Sequence, residues 1–157
     1  MNPGEVERIV GYVAERSVER FMLLNGWNGR LTSFEYFDLT VDVGNGKYLR
    51  CQVKGTATGK RFNLRNGRNR RREYEKGSFD FYCLVTLDTE HGQDGLFFLL
   101  PEDISTQSIA VKDLKQSWHG LHGWNRVRNI LMKRIKYNGK QCRQCSRPSD
   151  IQEEEVD

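Results

Sequence analysis

Apolar and polar positions alternate most regularly over residues 37–54, FDLTVDVGNGKYLRCQVK. Phe37, Leu39, Val41 and Val43 alternate with Asp38, Thr40 and Asp42; Leu49, Cys51 and Val53 alternate with Tyr48, Arg50, Gln52 and Lys54. A period of two marks strands buried on one face, so the two runs predict an antiparallel hairpin. Loop length then sets which faces meet. A two-residue Asn45-Gly46 loop would set Asp42 against Leu49, polar against apolar. A three-residue loop, Gly44-Asn45-Gly46 with Gly46 left-handed, keeps like faces together. That register puts Thr40 opposite Arg50 and Asp38 opposite Gln52, with Lys54 one step further along the same face.

A period near 3.6 governs the N-terminal stretch. Asn2-Pro3, with Glu5 and Glu7 behind it, opens a helix that Asn25-Gly26 ends. Val6, Ile9, Val10, Val13, Ser17, Phe21 and Leu24 form its apolar stripe, which Gly11, Val18 and Met22 widen. Glu15 shares the edge of Gly11 and Val18. Residues 27–35 read as a loop or short extended piece, and GTATG at 55–59 as a loop. Strands are predicted at 61–64, at 79–87 and at 95–100. The run FDFYCLVTL is continuous enough for a central strand buried on both faces. Helices follow at 113–117 and 124–136. The pattern predicts an α/β domain, an N-terminal helix packed on a mixed sheet of about five strands, plus C-terminal helices.

Charge changes the picture. The net charge of +4 includes an acidic end, SDIQEEEVD; without it 25 bases face 16 acids. Residues 60–76 carry eight Lys or Arg against two Glu, and residues 126–147 carry eight with no acid. Two dense basic blocks interleaved with apolar residues point to a polyanion, above all nucleic acid. No apolar run is long enough to span a bilayer and no signal peptide is evident, which predicts an intracellular protein without a membrane partner.

Against that background the polar face of the hairpin gains meaning. Asp38, the Gln52 carboxamide and the Lys54 ammonium converge there, as a site for a hard cation and a polarised water requires. Asp42 shares the face but lies four strand residues from Asp38, about 13 Å at roughly 3.3 Å per residue. Ligands of one Mg²⁺ sit at about 2.1 Å from the ion, so Asp42 is too far to serve.

Gly11-Tyr-Val-Ala-Glu15, Phe37-Asp38-Leu39, Gln52-Val53-Lys54, Arg61-Phe-Asn-Leu-Arg65 and Asp80-Phe81-Tyr82, in this order and spacing, resemble a PD-(D/E)-x-K nuclease. Within that superfamily the chain is most similar to the group I intron-associated homing endonucleases and, more distantly, to the archaeal Holliday-junction resolvases. The resemblance implies a restriction-endonuclease-like core. It also implies that Asp38 binds metal, that Lys54 steadies the attacking water or scissile phosphate, and that Glu15 completes the site. Gln52 stands where the superfamily has its second acid, a departure usual in the intron-associated branch. The implied cofactor is Mg²⁺ (or Mn²⁺), and the implied reaction is hydrolysis of phosphodiester bonds in double-stranded DNA.

Arg61, Arg65, Arg68, Arg70, Arg71 and Arg72, together with Arg126, Arg128 and Lys133, are the candidate DNA-binding residues. One site per chain cuts one strand, so double-strand cleavage implies a homodimer or homotetramer. Two other readings stay open: a junction resolvase using the same groups, and a DNA-binding module that has lost catalysis, which Gln52 makes reasonable. The chain divides into a nuclease core over 1–112, a basic helical segment over 113–137 and a disordered tail over 138–157. The expected compartment is the cytoplasm, or an organelle if an organellar intron encodes the chain.

The cysteines add little. Cys142-x-x-Cys145 is half of a zinc site, and free thiols in a tail fit it better. Cys51 and Cys83 fall in predicted strands and read as core. His119 and His122 lack the flanking residues of a His-dependent metal nuclease, and Gly120 and Gly123 read as loop punctuation.

Overall fold

The computed structural model describes residues 2–32, 37–64, 77–88, 90–91, 94–117 and 120–145, without the side chains of 115–122 and 138–145. Helix α1 spans Pro3–Leu24. Asn2 caps it, accepting from the Glu5 N–H while the Glu5 carboxylate accepts from the Asn2 N–H. The strands are β1 (Asn28–Leu31), β2 (Leu39–Gly44), β3 (Lys47–Thr56), β4 (Arg61–Asn63), β5 (Phe81–Thr86), β6 (Gly95–Leu99) and β7 (Ser108–Ala110). Helices α2 (Val111–Ser117) and α3 (Gly120–Cys145) close the chain's described part.

A five-stranded sheet runs β1-β2-β3-β5-β6, with β3 and β5 parallel and every other neighbour antiparallel. This is the α/β arrangement of an N-terminal helix, a mixed sheet and C-terminal helices. Its two faces carry separate cores. Leu39, Val41, Cys51, Val53, Phe81, Cys83, Val85 and Phe98 pack under α1 and α3. Tyr82, Leu84, Phe97 and Leu99 point the other way, against Phe62, Leu64, Val111 and Leu114. Strand β5 is therefore buried on both sides, as its continuous apolar run requires.

Four elements differ from the expectation. The fifth strand of the main sheet is β1, not the strand at Arg61, which pairs instead with β7 in a small second sheet. Gly55 and Thr56 belong to β3, not to a loop. The hairpin turn is a two-residue Asn45-Gly46 loop, both residues left-handed (φ 54° and 68°), with a bulge between Asp42 and Gly44. The bulge absorbs the odd residue, so Thr40 still faces Arg50, the register expected of a longer loop. Finally, α3 begins before Trp124 and runs through Asn138-Gly139 to Cys145, so residues 138–145 have helical backbone. A single Gly costs a helix only about 1 kcal/mol and does not by itself stop one.

The phase of α1 also differs. Ala14, Val18 and Met22 are fully buried and Phe21 packs against the same core, whereas Val6, Ile9, Val13 and Leu24 of the expected stripe are exposed. The reason is close approach. A Cβ on Gly55 would come within 2.7 Å of the Ala14 Cβ and 3.2 Å of the Val10 carbonyl. The helix settles onto β3 through its small residues, and bulk is excluded from that contact.

Candidate active site

The site forms where β2 parts from β3. Strand β2 begins at Leu39, paired with Cys51, while β3 continues to Thr56. The Asp38 N–H still donates to the Cys51 carbonyl at 2.9 Å. Beyond that point no described residue continues β2 alongside β3, and the Asp38 carboxylate takes the Val53 N–H at 2.8 Å through Oδ2. The same oxygen accepts from Gln52 Nε2 at 2.7 Å. Strand alternation puts Gln52 and Lys54 on the face opposite Cys51 and Val53, beside Tyr82 and Leu84 of β5. Glu15 follows Ala14 on α1, one residue past the contact with Gly55, and its charge and that of Asp38 act on one another.

Electrostatics tie Glu15, Asp38 and Lys54 together. Burial, then the charge of Asp38, raises the Glu15 carboxyl to about 7, against the pull of Arg16. Burial lifts Asp38 above its ordinary value although the Val53 N–H and Lys54 draw it down. Burial lowers the Lys54 ammonium, and Asp38 offsets part of this. All three groups are displaced toward neutrality, the pattern of charges crowded together with too little water.

The donor set suits a hard divalent cation. Gln52 is 4% exposed; its Nε2 serves two acceptors, Asp38 Oδ2 and the Val53 carbonyl at 3.3 Å, and its Oε1 is buried with no hydrogen-bond partner. A buried carbonyl oxygen without a partner costs about 1–3 kcal/mol, which a cation would recover. Among the described residues no group of three or more His, Cys, Asp and Glu side chains comes together. Two carboxylates and one amide oxygen are nonetheless enough for a Mg²⁺ that keeps waters and a substrate phosphate as further ligands. A cavity of about 660 Å³ lined by Tyr48, Phe79, Asp80, Leu131 and Arg134 lies elsewhere and includes none of the four. An open strand edge, not an enclosed pocket, admits a polymer.

The candidate basic residues separate. Arg61 is exposed on β4, and its guanidinium donates to Ser108 Oγ at 2.9 Å. Arg65, Arg68, Arg70, Arg71 and Arg72 lie outside the described residues. Arg126 is bound in a fork to Asp103, at 2.8 and 2.6 Å. Burial alone would raise Asp103, but these bonds hold its carboxyl below the ordinary value and raise Arg126. Arg128 lies over the Trp27 ring at 5.8 Å, Lys133 is exposed, and Arg134 pairs with Glu102. Arg61 on β4 and the basic residues of α3 belong to different layers, β4 with one core and α3 with the other.

Three features went unread in the sequence. Gly55 sets the height of α1 over β3, and a Gly inside a strand was the available signal. Asp80 forms an ion pair with Arg50 and accepts its N–H at 2.7 Å, fastening the start of β5 to β3. Asp103 neutralises Arg126, which spacing in sequence gives no means of seeing.

No family model matches the chain, and no curated protein sequence is similar to it. Among solved structures, the chain shares its fold with that of a bacterial homing endonuclease, I-Ssp6803I. The likeness covers 66% of this chain and 76% of that one, at 22% identity and a TM-score of 0.51. In the described residues no helix is long and apolar enough to cross a membrane.

Proposed function

We propose that the chain is a Mg²⁺-dependent endonuclease of the homing type, hydrolysing phosphodiester bonds in double-stranded DNA at a specific sequence. The observation that carries this is the Asp38 carboxylate where β2 leaves β3, bonded to Gln52, whose Oε1 is buried without a partner, and coupled by charge to Lys54 and Glu15. The shared fold of a homing endonuclease supports it. Asp38, Gln52 and Glu15 would hold Mg²⁺ (or Mn²⁺), which when bound lowers the pKa of water and neutralises charge on the phosphate. Lys54 contributes fixed positive charge at the same place. Asp38, already oriented by the Val53 N–H, needs no rearrangement to serve. Arg61 and the arginines up to Arg72 grip the backbone. Arg128 and Lys133 extend the basic surface, and Arg126 acts as a brace. The nuclease core takes in residues 1–112, the basic helix adds to it, and two or four copies cut both strands in a compartment that holds DNA, cytoplasm or organelle.

The amide of Gln52 in the place of an acid favours a second reading, a DNA-binding module without catalysis. A pool of randomised duplexes incubated with the protein and Mg²⁺ or Mn²⁺, its cut ends sequenced, separates them. The nuclease gives cuts at one dominant sequence; the module binds without metal and cuts nothing. Paired nicks confined to four-way junctions would instead indicate a resolvase.

A further inference from the structure

The face of α1 turned away from the sheet is apolar where a lone surface helix would be polar. Six of the eight large apolar residues exposed among the described residues lie on this helix. Val6, Ile9 and Val13, 43%, 46% and 42% exposed, form one ridge by their spacing of three and four. The ridge lies opposite Ala14, Val18 and Met22, which the sheet covers completely. Glu5 and Arg16 line one flank, with the Arg16 guanidinium 4.5 Å from the centre of the Tyr12 ring and donating to its hydroxyl at 2.7 Å. A contiguous exposed apolar ridge with a polar rim marks a contact surface.

We infer that this ridge is where a second copy of the chain docks, α1 against α1 about a two-fold axis. Self-complementarity singles out a second copy. In an antiparallel helix pair related by a two-fold, each flank meets itself and every contact occurs twice. Setting Ile9 of one copy against Val13 of the other buries both. The same register lays Val6 along the aliphatic stem of the partner's Arg16 and brings Glu5 to its guanidinium. An acid in the first turn and a base three turns later are what such a pair needs. Glu15 rides on the same helix, so the pair would hold two sites at a fixed separation, one for each strand. That purpose rests on the nuclease reading; the contact does not.

Sedimentation equilibrium of the full chain, without DNA or metal, tests it. A single helix pair is a small interface, and a dimer with a dissociation constant on the order of micromolar is expected. Ile9→Glu should raise that constant by about 100-fold or more, with the melting temperature unchanged at concentrations where both proteins are monomers, because Ile9 is half exposed in one copy. Arg16→Glu should also weaken the dimer, and adding Glu5→Arg to it should restore most of the loss. The charge swap decides the matter even if Ile9→Glu folds poorly. A wild-type monomer throughout the micromolar range, a dimer indifferent to Ile9→Glu, or a charge swap without recovery overturns the inference. A dimer that never cuts DNA leaves the contact standing and removes the nuclease reading; a cutting monomer does the reverse.

Discussion

Gln52 donates to Asp38 at 2.7 Å, so the two groups proposed to share a cation hold one another in its absence. An amide can do this and a second acid cannot. Its N–H₂ meets the carboxylate while its oxygen stays buried and unused. Gln52→Glu would set two carboxylates together at a buried position. In EDTA near pH 8 this should cost about 2–4 kcal/mol of stability. Mg²⁺ should restore much of it, and cleavage should persist at a lower Mg²⁺ requirement. Thermal unfolding with and without Mg²⁺ reads both effects; equal melting temperatures for variant and wild type in EDTA would show that the bond carries no weight.

Glu15 makes a prediction with a definite sign. Its carboxyl is raised from 4.5 to about 7 in the fold, so the folded state binds that proton more tightly than the unfolded chain. Stability from this group is greatest below pH 4.5 and is lost as pH rises toward 7. Glu15→Gln should therefore raise the melting temperature of the metal-free protein at pH 8, change it little at pH 4, and abolish cleavage. A variant that melts lower at pH 8, or that cuts at the wild-type rate, would make Glu15 an ordinary surface residue.

Gly55 is expected to be intolerant for a steric reason. A Cβ there would sit 2.7 Å from that of Ala14. Gly55→Ala should lift α1 and cost about 1–3 kcal/mol in denaturant unfolding. Because Glu15 follows Ala14, it should also depress cleavage more than binding. Ala14→Gly in the same chain should recover part of both losses; no recovery would locate the damage elsewhere.

The approach of Asp38 to Gln52 was legible because strand alternation is unforgiving. A one-residue slip would have exposed Leu39, Val41 and Cys51, so Asp38, Gln52 and Lys54 were bound to share a face whatever the turn did. The turn itself was misread, since a bulge at Asp42–Gly44 yields the same register from a shorter loop. The phase of α1 was hidden for a different reason. Hydrophobic patterning follows large side chains, and the contact with β3 is made by Ala14 and Gly55. Val6, Ile9 and Val13 were left for the outer face. Strand β1, only Asn28–Leu31 with Asn, Gly and Arg among its four residues, carries too little alternation to announce itself.

The basic residues should divide by function in a salt titration. Arg70→Ala, Arg71→Ala and Arg72→Ala together should flatten the dependence of DNA affinity on salt, by about 0.9 in log–log slope for each phosphate no longer neutralised. Arg126→Ala should leave that slope nearly unchanged and lower stability instead, because Asp103 would keep only the Leu100 N–H and lose its paired cation. A flattened slope in Arg126→Ala would mean that the brace releases its arginine to DNA.

Asp38→Asn on duplex DNA, with cleavage followed in Mg²⁺ and binding in Ca²⁺, bears on the catalytic reading most directly. Asparagine keeps an oxygen for the Val53 N–H and removes only the charge. Cleavage should fall by three or more orders of magnitude, about 4 kcal/mol of lost transition-state stabilisation, while affinity in Ca²⁺ stays within a few-fold of wild type. Wild-type cleavage by Asp38→Asn would contradict the assignment of this site.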